Sequence, residues 1–226
     1  MNQKGFANIV LVGIIIVLAG AVGYFALFKP TTEPTTQTPP PSSLVNNPGW
    51  EKYSDASLEF EYPSLISVKQ EGETIILSHS IAYKHPASCD FKGDAPPSEI
   101  FSDFYVSLAV SDKSLKDTVR SNEGPGINNF FENDTLKLSG DGYIDKSNAG
   151  SLNGFKITSG VEGCGRYTYY FPISSTKSLF VYRSFISEFD SIHSNYQTYL
   201  NLPGIISPNQ EKEFFVKILS SLKVKS

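Results

Sequence analysis

Two cysteines, three histidines and three arginines are the residues of this chain best suited to chemistry. Cys89 and Cys164 are the only thiols, and in an exported chain an even pair reads first as a disulfide. Zinc is the competing use. His79, His85 and Cys89 are close in sequence, and Cys164 can supply a fourth ligand. Neither the five residues between His79 and His85 nor the three between His85 and Cys89 matches a familiar zinc spacing. Nucleophilic catalysis is a third use: Gly163-Cys164-Gly165 can present a thiol on a tight turn, with His193 as its base. Glycines beside a cysteine more often give two segments room to reach the ~5.5–6 Å Cα separation of a bridge. A Cys89–Cys164 disulfide is therefore the expectation.

Other constellations are weaker. No serine sits in Gly-x-Ser-x-Gly, so the hydrolase elbow is absent. Glu132-Asn133-Asp134 with Asp141 and Asp145 is acidic but lacks the fixed spacing of a calcium loop, and reads as a solvated loop. Arg166 and Arg183 flank an aromatic-rich strand pair. With Tyr169 they are the candidates for lining an anion or ligand pocket; the alternative is a wet sheet face. Tyr167, Tyr169, Tyr170 and Phe171 put aromatics on both faces of one strand, one face core and the other covered by a helix or open for binding. No metal and no cofactor signature emerges.

The elements that must position these residues are mostly strands. Trp50–Tyr53 and Leu58–Tyr62 alternate apolar and polar, and Pro63 ends the run because it cannot donate to a ladder. Thr74–Leu77 and Phe104–Val110 are further strands, followed by three in Asn153–Val161, Tyr167–Ile173 and Leu179–Ile186. Ser114 caps a short helix to Arg120 with Leu115 and Val119 on one face. Near the C-terminus, Ser207-Pro208-Asn209-Gln210 combines an N-cap serine, proline at the first helical position and a capping-box glutamine. Phe214, Phe215, Ile218, Leu219 and Leu222 then recur at helical spacing and should pack on the sheet. The sum is an α+β domain with a largely antiparallel sheet flanked by helices.

The opening Trp50-x-x-Tyr53 and Leu58-x-Phe60-x-Tyr62-Pro63 resembles the start of exported bacterial domains of the PsbP-like (Mog1/PsbP) type. The C-terminal amphipathic helix with its short apolar tail, Ile218–Val224, is similar to the end of those domains. The resemblance implies an antiparallel sheet flanked by helices, behind a lipid or transmembrane anchor and a Pro/Thr linker. It implies a binding or assembly role without a shared catalytic set, and it transfers no functional residue. The Pro/Cys/Gly-containing segment at residues 84–99 departs from that pattern.

Location follows from the N-terminus. Residues 9–28 are twenty residues without a charge, enough for a helix to cross ~30 Å of hydrocarbon. Residues 1–29 are read as a signal anchor with one transmembrane helix, in preference to a cleaved signal peptide ending near Ala19-Gly20-Ala21. Lys4 and the amine before the helix, against Lys29 after it, favour the N-terminus inside and the domain outside. Lys4-Gly5-Phe6 resembles a pilin leader, but Val10 stands where that family has glutamate. Residues 30–48 hold six prolines and five threonines, an extended stalk able to hold the domain up to ~60 Å from the membrane. The globular domain is 49–226. Removing Lys4, Lys29 and Glu33 from the totals leaves 17 basic and 22 acidic residues for it. A mildly acidic domain without a basic run has no electrostatic footprint for nucleic acid. The reading is a non-enzymatic extracytoplasmic module that binds an unknown envelope protein or ligand. An exported hydrolase with a site assembled from distant residues, or a pilin-like subunit, are the alternatives.

Overall fold

The computed structural model describes residues 48–90, 92–161, 164–190 and 195–225. The expected anchor at 9–28, nearly all of the stalk, Gly163 and His193 lie outside them. Trp50 begins a tight antiparallel pair, β1 (Trp50–Ser54) and β2 (Leu58–Pro63), with Asp55 accepting the Ser57 and Leu58 amides at 2.7 Å to close the turn. A short C-terminal strand, β12 (Lys223–Val224), joins the other edge of β2.

Among the described residues the main sheet has seven strands. These are β3 (Ser67–Glu71), β4 (Thr74–His85), β5 (Ser98–Ser111), β8 (Ile144–Ala149), β9 (Leu152–Val161), β10 (Cys164–Pro172) and β11 (Ser178–Ser184). Their spatial order is β3-β4-β5-β11-β10-β9-β8, antiparallel throughout. A small hairpin, β6 (Phe131–Glu132) and β7 (Thr135–Leu136), turns at Asn133, whose φ of 49° suits asparagine. The expected α+β class with a largely antiparallel sheet is what the chain adopts.

β4 and β5 run far beyond the short cores expected at Thr74–Leu77 and Phe104–Val110. The register slips between His79 and Ser80 and again between Ala82 and His85. Each bulge shifts the period-2 pattern by one, so the outer halves no longer alternate visibly with the inner ones. The irregular segment is thereby shortened to residues 86–97. It carries its own polar brace: Asp90 accepts the amides of Lys92, Gly93 and Ala95.

Helices cover both faces. On one, α3 (Pro208–Ser221) starts with the expected capping box, Ser207 and Gln210 each satisfying the other's backbone. Its Phe214, Phe215, Ile218 and Leu219 are buried against Phe60, Leu77, Val106, Tyr169, Phe171 and Val181, and Leu222 follows them in. Gly150, in the β8–β9 turn at φ 54°, lets this helix end dock: a Cβ there would stand 2.1 Å from the Leu222 carbonyl oxygen. On the other face α1 (Leu115–Glu123), capped by Ser114, and a 3-10 turn at Pro125–Phe130 enclose Val119, Ile127, Leu136, Ile144, Ile157 and Tyr170. A third helix, α2 (Tyr196–Leu200), packs Tyr199 on Phe101, rings 5.1 Å apart. Among the described residues no helix is long and apolar enough to cross a membrane.

Candidate functional site

Strand β10 decides where the candidate residues go. Alternation sends Tyr167, Tyr169 and Phe171 toward α3, and Arg166, Thr168 and Tyr170 toward α1. Arg183 on β11 is the cross-strand partner of Tyr167 and therefore shares the α3 face. The two arginines are on opposite sides of the sheet. They do not form one pocket.

On the α3 face Arg183 is enclosed. Its guanidinium donates through Nε to Glu211 at 2.7 Å, and its second nitrogen pairs with the other Glu211 oxygen. It lies over the rings of Phe215 and Tyr167, at 4.7 and 5.3 Å from their centroids. Burial works against its charge, but the Glu211 hydrogen bonds and charge outweigh it and hold the pKa above the ordinary arginine value. Tyr169 lies beneath, 6% exposed and 5.0 Å from the Phe215 ring, and burial pushes its phenol up against the pull of Arg183. A cleft of about 630 Å³ opens beside this cluster, between the end of β11, residues Ile186–Asp190 and the first turn of α3. Its two most buried charges, Arg183 and Glu211, are spent on each other.

On the α1 face Arg166 is held loosely. It reaches Glu123 at 3.4 Å and the Asn122 carbonyl at 3.3 Å, with 39% of its side chain exposed. The Glu123 carboxylate behind it is 3% exposed and also accepts the hydroxyls of Tyr170 at 2.7 Å and Ser159 at 3.0 Å. Burial first, then the Glu123 charge, drive the Tyr170 phenol far above its usual range, so it remains a donor.

Because α1 ends at Glu123, no helix among the described residues covers the sheet beyond it. There a cleft of about 400 Å³ is lined by Tyr105, Ser107, Asn122, Arg166, Thr168, Phe180 and Tyr182. Tyr182 lies opposite both Ser107 on β5 and Thr168 on β10, which makes one cross-strand row of three hydroxyls. Tyr105 meets the Tyr182 ring edge-on at 5.9 Å. The Thr168 Oγ1 is buried and makes no hydrogen bond of normal geometry among the described residues, although it lies close enough to the Tyr170 hydroxyl to act on it. Sequence reasoning missed this floor apart from Arg166. The alternation of Phe180 and Tyr182 against Leu179 and Val181 was visible, and so were the strands Phe104–Val110 and Tyr167–Ile173, but not that these two flank β11.

The other chemical candidates are committed elsewhere. Cys89 and Cys164 form a disulfide, with Cα atoms 5.6 Å apart. It ties segment 86–97 to the first residue of β10, where Gly160 and Gly165 let β9 and β10 approach closely: a Cβ on either would stand 2.3 Å from a backbone oxygen of the other strand. The sulfurs are consequently neither zinc ligands nor a nucleophile. His79 Nδ1 meets Asp103 at 2.6 Å, and Asp103 also accepts the Ile206 amide. His85 Nε2 meets the Ile100 carbonyl at 2.9 Å, and its Nδ1 stands 3.6 Å from Glu188, a carboxylate that also takes the Ser88 hydroxyl. In the acidic stretch, Asp134 pairs with Lys116, Asp145 with Lys156, and Asp141 caps the Tyr143 amide.

The sequence matches no known family and no curated protein. Among solved structures, a Bacteroides thetaiotaomicron protein is similar at a TM-score of 0.38 and 6% identity, over 80% of this chain. The chain spans about half of that protein, 49% of its length. CyanoP, the cyanobacterial PsbP of Synechocystis, is similar at a TM-score of 0.33 and 14% identity, over 78% of this chain and 92% of its own. Both likenesses are distant.

Proposed function

We propose that this protein is a non-enzymatic binding module of the PsbP-like type, held outside the cytoplasm by a single N-terminal membrane anchor and a Pro/Thr stalk. The cleft on the Arg166 face is its ligand site. One observation carries the choice: a buried hydroxyl without a partner, Thr168 Oγ1, on the floor of an open aromatic cleft. A buried polar group left unpaired costs about 1–3 kcal/mol, a cost that a ligand hydrogen bond offsets once the cleft floor shifts to expose Oγ1, which is closed to solvent in the free protein. The thiols are closed in a disulfide, which removes the cysteine nucleophile and favours binding over thiol-based hydrolysis.

The test places a photoreactive side chain at Ser107 in the full-length protein on intact cells, with the same group at Lys212 on the opposite face for comparison. The reading expects an adduct at Ser107, lost when Tyr182→Ala is added, and protease removal of the domain from intact cells. Equal labelling at both positions, or a domain protected until the cells are lysed, contradicts it.

A further inference from the structure

The lining of the Arg166 cleft carries its own specification for a ligand. Among the described residues its one charged lining residue is Arg166, and Glu123, immediately behind, balances that charge. An anion entering here must compete with a buried carboxylate for the guanidinium, and a cation must approach the guanidinium itself. Both are disfavoured, since an unpaired charge in a partly dry site is costly. A neutral ligand meets neither obstacle.

The polar groups around that charge are mostly two-way. Ser107, Thr168, Tyr105 and Tyr182 are hydroxyls able to donate and accept, and Asn122 offers both functions in one amide. Burial and then the neighbouring Tyr182 raise the Tyr105 phenol, so it stays protonated and able to donate. Ser107, Tyr182 and Thr168 belong to one row across three strands, so they rise from the floor at about 4.8 Å intervals. A ligand with a single polar group can answer one of them. A ring bearing several hydroxyls can answer Ser107 and Tyr182 together, and Thr168 as well once the floor shifts to expose its oxygen.

The remaining lining is aromatic. Tyr105 and Tyr182, edge to face, and Phe180 supply flat apolar surface beside the hydroxyl row. A cleft of about 400 Å³ is near the lower end for small-molecule sites, about 300–1,000 Å³. We infer that the Arg166 cleft binds a neutral saccharide unit, with the hydroxyl edge of the sugar on the Ser107–Tyr182–Thr168 row and its C–H face against the tyrosine rings. This rests on the reading of that cleft as the ligand site.

The experiment uses the full-length protein in a detergent without a sugar headgroup. Saturation-transfer NMR is run with chitotriose, cellotriose, maltotriose and mannotriose, and with inorganic phosphate and benzoate as anionic probes. At least one trisaccharide should bind with a Kd of about 1 mM or tighter. Thr168→Val should weaken it about fivefold or more without lowering Tm, because only an unpaired hydroxyl is removed. Lys212→Ala, on the far face, should leave it unchanged. No trisaccharide binding, or binding indifferent to Thr168→Val, overturns the assignment. If an anionic probe binds instead and is lost in Tyr182→Ala, the saccharide proposal falls while the cleft remains a ligand site. If none of the probes binds and the Ser107 crosslink on intact cells also fails, both fall.

Discussion

The two faces of the seven-stranded sheet use the same pair of residue types to opposite ends. On the α3 face, Arg183 and Glu211 meet in two hydrogen bonds, with Phe215 and Tyr167 against the guanidinium and a helix drawn over the pair. On the α1 face, Arg166 reaches Glu123 at 3.4 Å, and the helix stops beside it. Closure makes the first pair part of the core. The early end of α1 leaves Arg166 on the rim of a cleft, with Glu123 buried behind it. Residue type alone decides neither role; the reach of the covering helix does.

The largest expected effect lies on the closed face. Phe215→Ala should destabilise the domain by about 3–5 kcal/mol, since it empties a site between Tyr169 and Arg183. Tyr182→Ala on the open face should cost about 1 kcal/mol. Denaturant titration of both breaks the comparison if the costs are equal. Reduction of Cys89–Cys164 comes next, with a chain-entropy ceiling of about 4.5 kcal/mol for its separation of 75 residues. Because the bridge enters β10 at its first residue, hydrogen exchange should rise first in 86–97 while both faces persist.

The arginines themselves sharpen the contrast. Arg183→Ala strands a buried Glu211 and should cost about 3 kcal/mol. Arg166→Ala removes a half-exposed guanidinium and leaves the buried Glu123 with the Tyr170 and Ser159 hydroxyls, so it should cost less than Arg183→Ala, about 1–2 kcal/mol. Smallest in size but opposite in sign is Thr168→Val, which should stabilise the unliganded protein by about 1 kcal/mol by removing an unsatisfied hydroxyl. A measurable loss of stability there would mean the hydroxyl has a partner.

The parts of this fold that announce themselves in sequence are local. Ser207, Pro208 and Gln210 specify the start of α3 within four residues, and Phe214 through Leu222 define its buried stripe. The disulfide is legible because the chain has two cysteines and no others to confuse the pairing. Strands β9, β10 and β11 show through their density of Tyr, Phe, Val and Ile. Edge strands do not: β3 has a single half-buried apolar residue, Val68, and β8 buries only Ile144 and Ala149 between charged and polar neighbours.

The candidate site was half visible for a related reason. Parity within β10 separates Arg166 from Tyr167, and parity within β11 separates Phe180 from Arg183. Which parity of one strand matches which of the other is a matter of register, and register depends on partners distant in sequence. Only the Tyr167–Arg183 pairing reveals that the two arginines part company. Thr168 was invisible altogether, because an unpaired hydroxyl is a property of its surroundings.

Arginine-selective labelling of the folded full-length protein with phenylglyoxal, followed by peptide mass spectrometry, tests the division of the two faces most directly. The chain has only three arginines, Arg120, Arg166 and Arg183, so each site can be followed separately. The account predicts that Arg166 is modified readily in the native protein, while Arg183 is protected until the domain unfolds. Modification of Arg183 at the rate of Arg166 would contradict it.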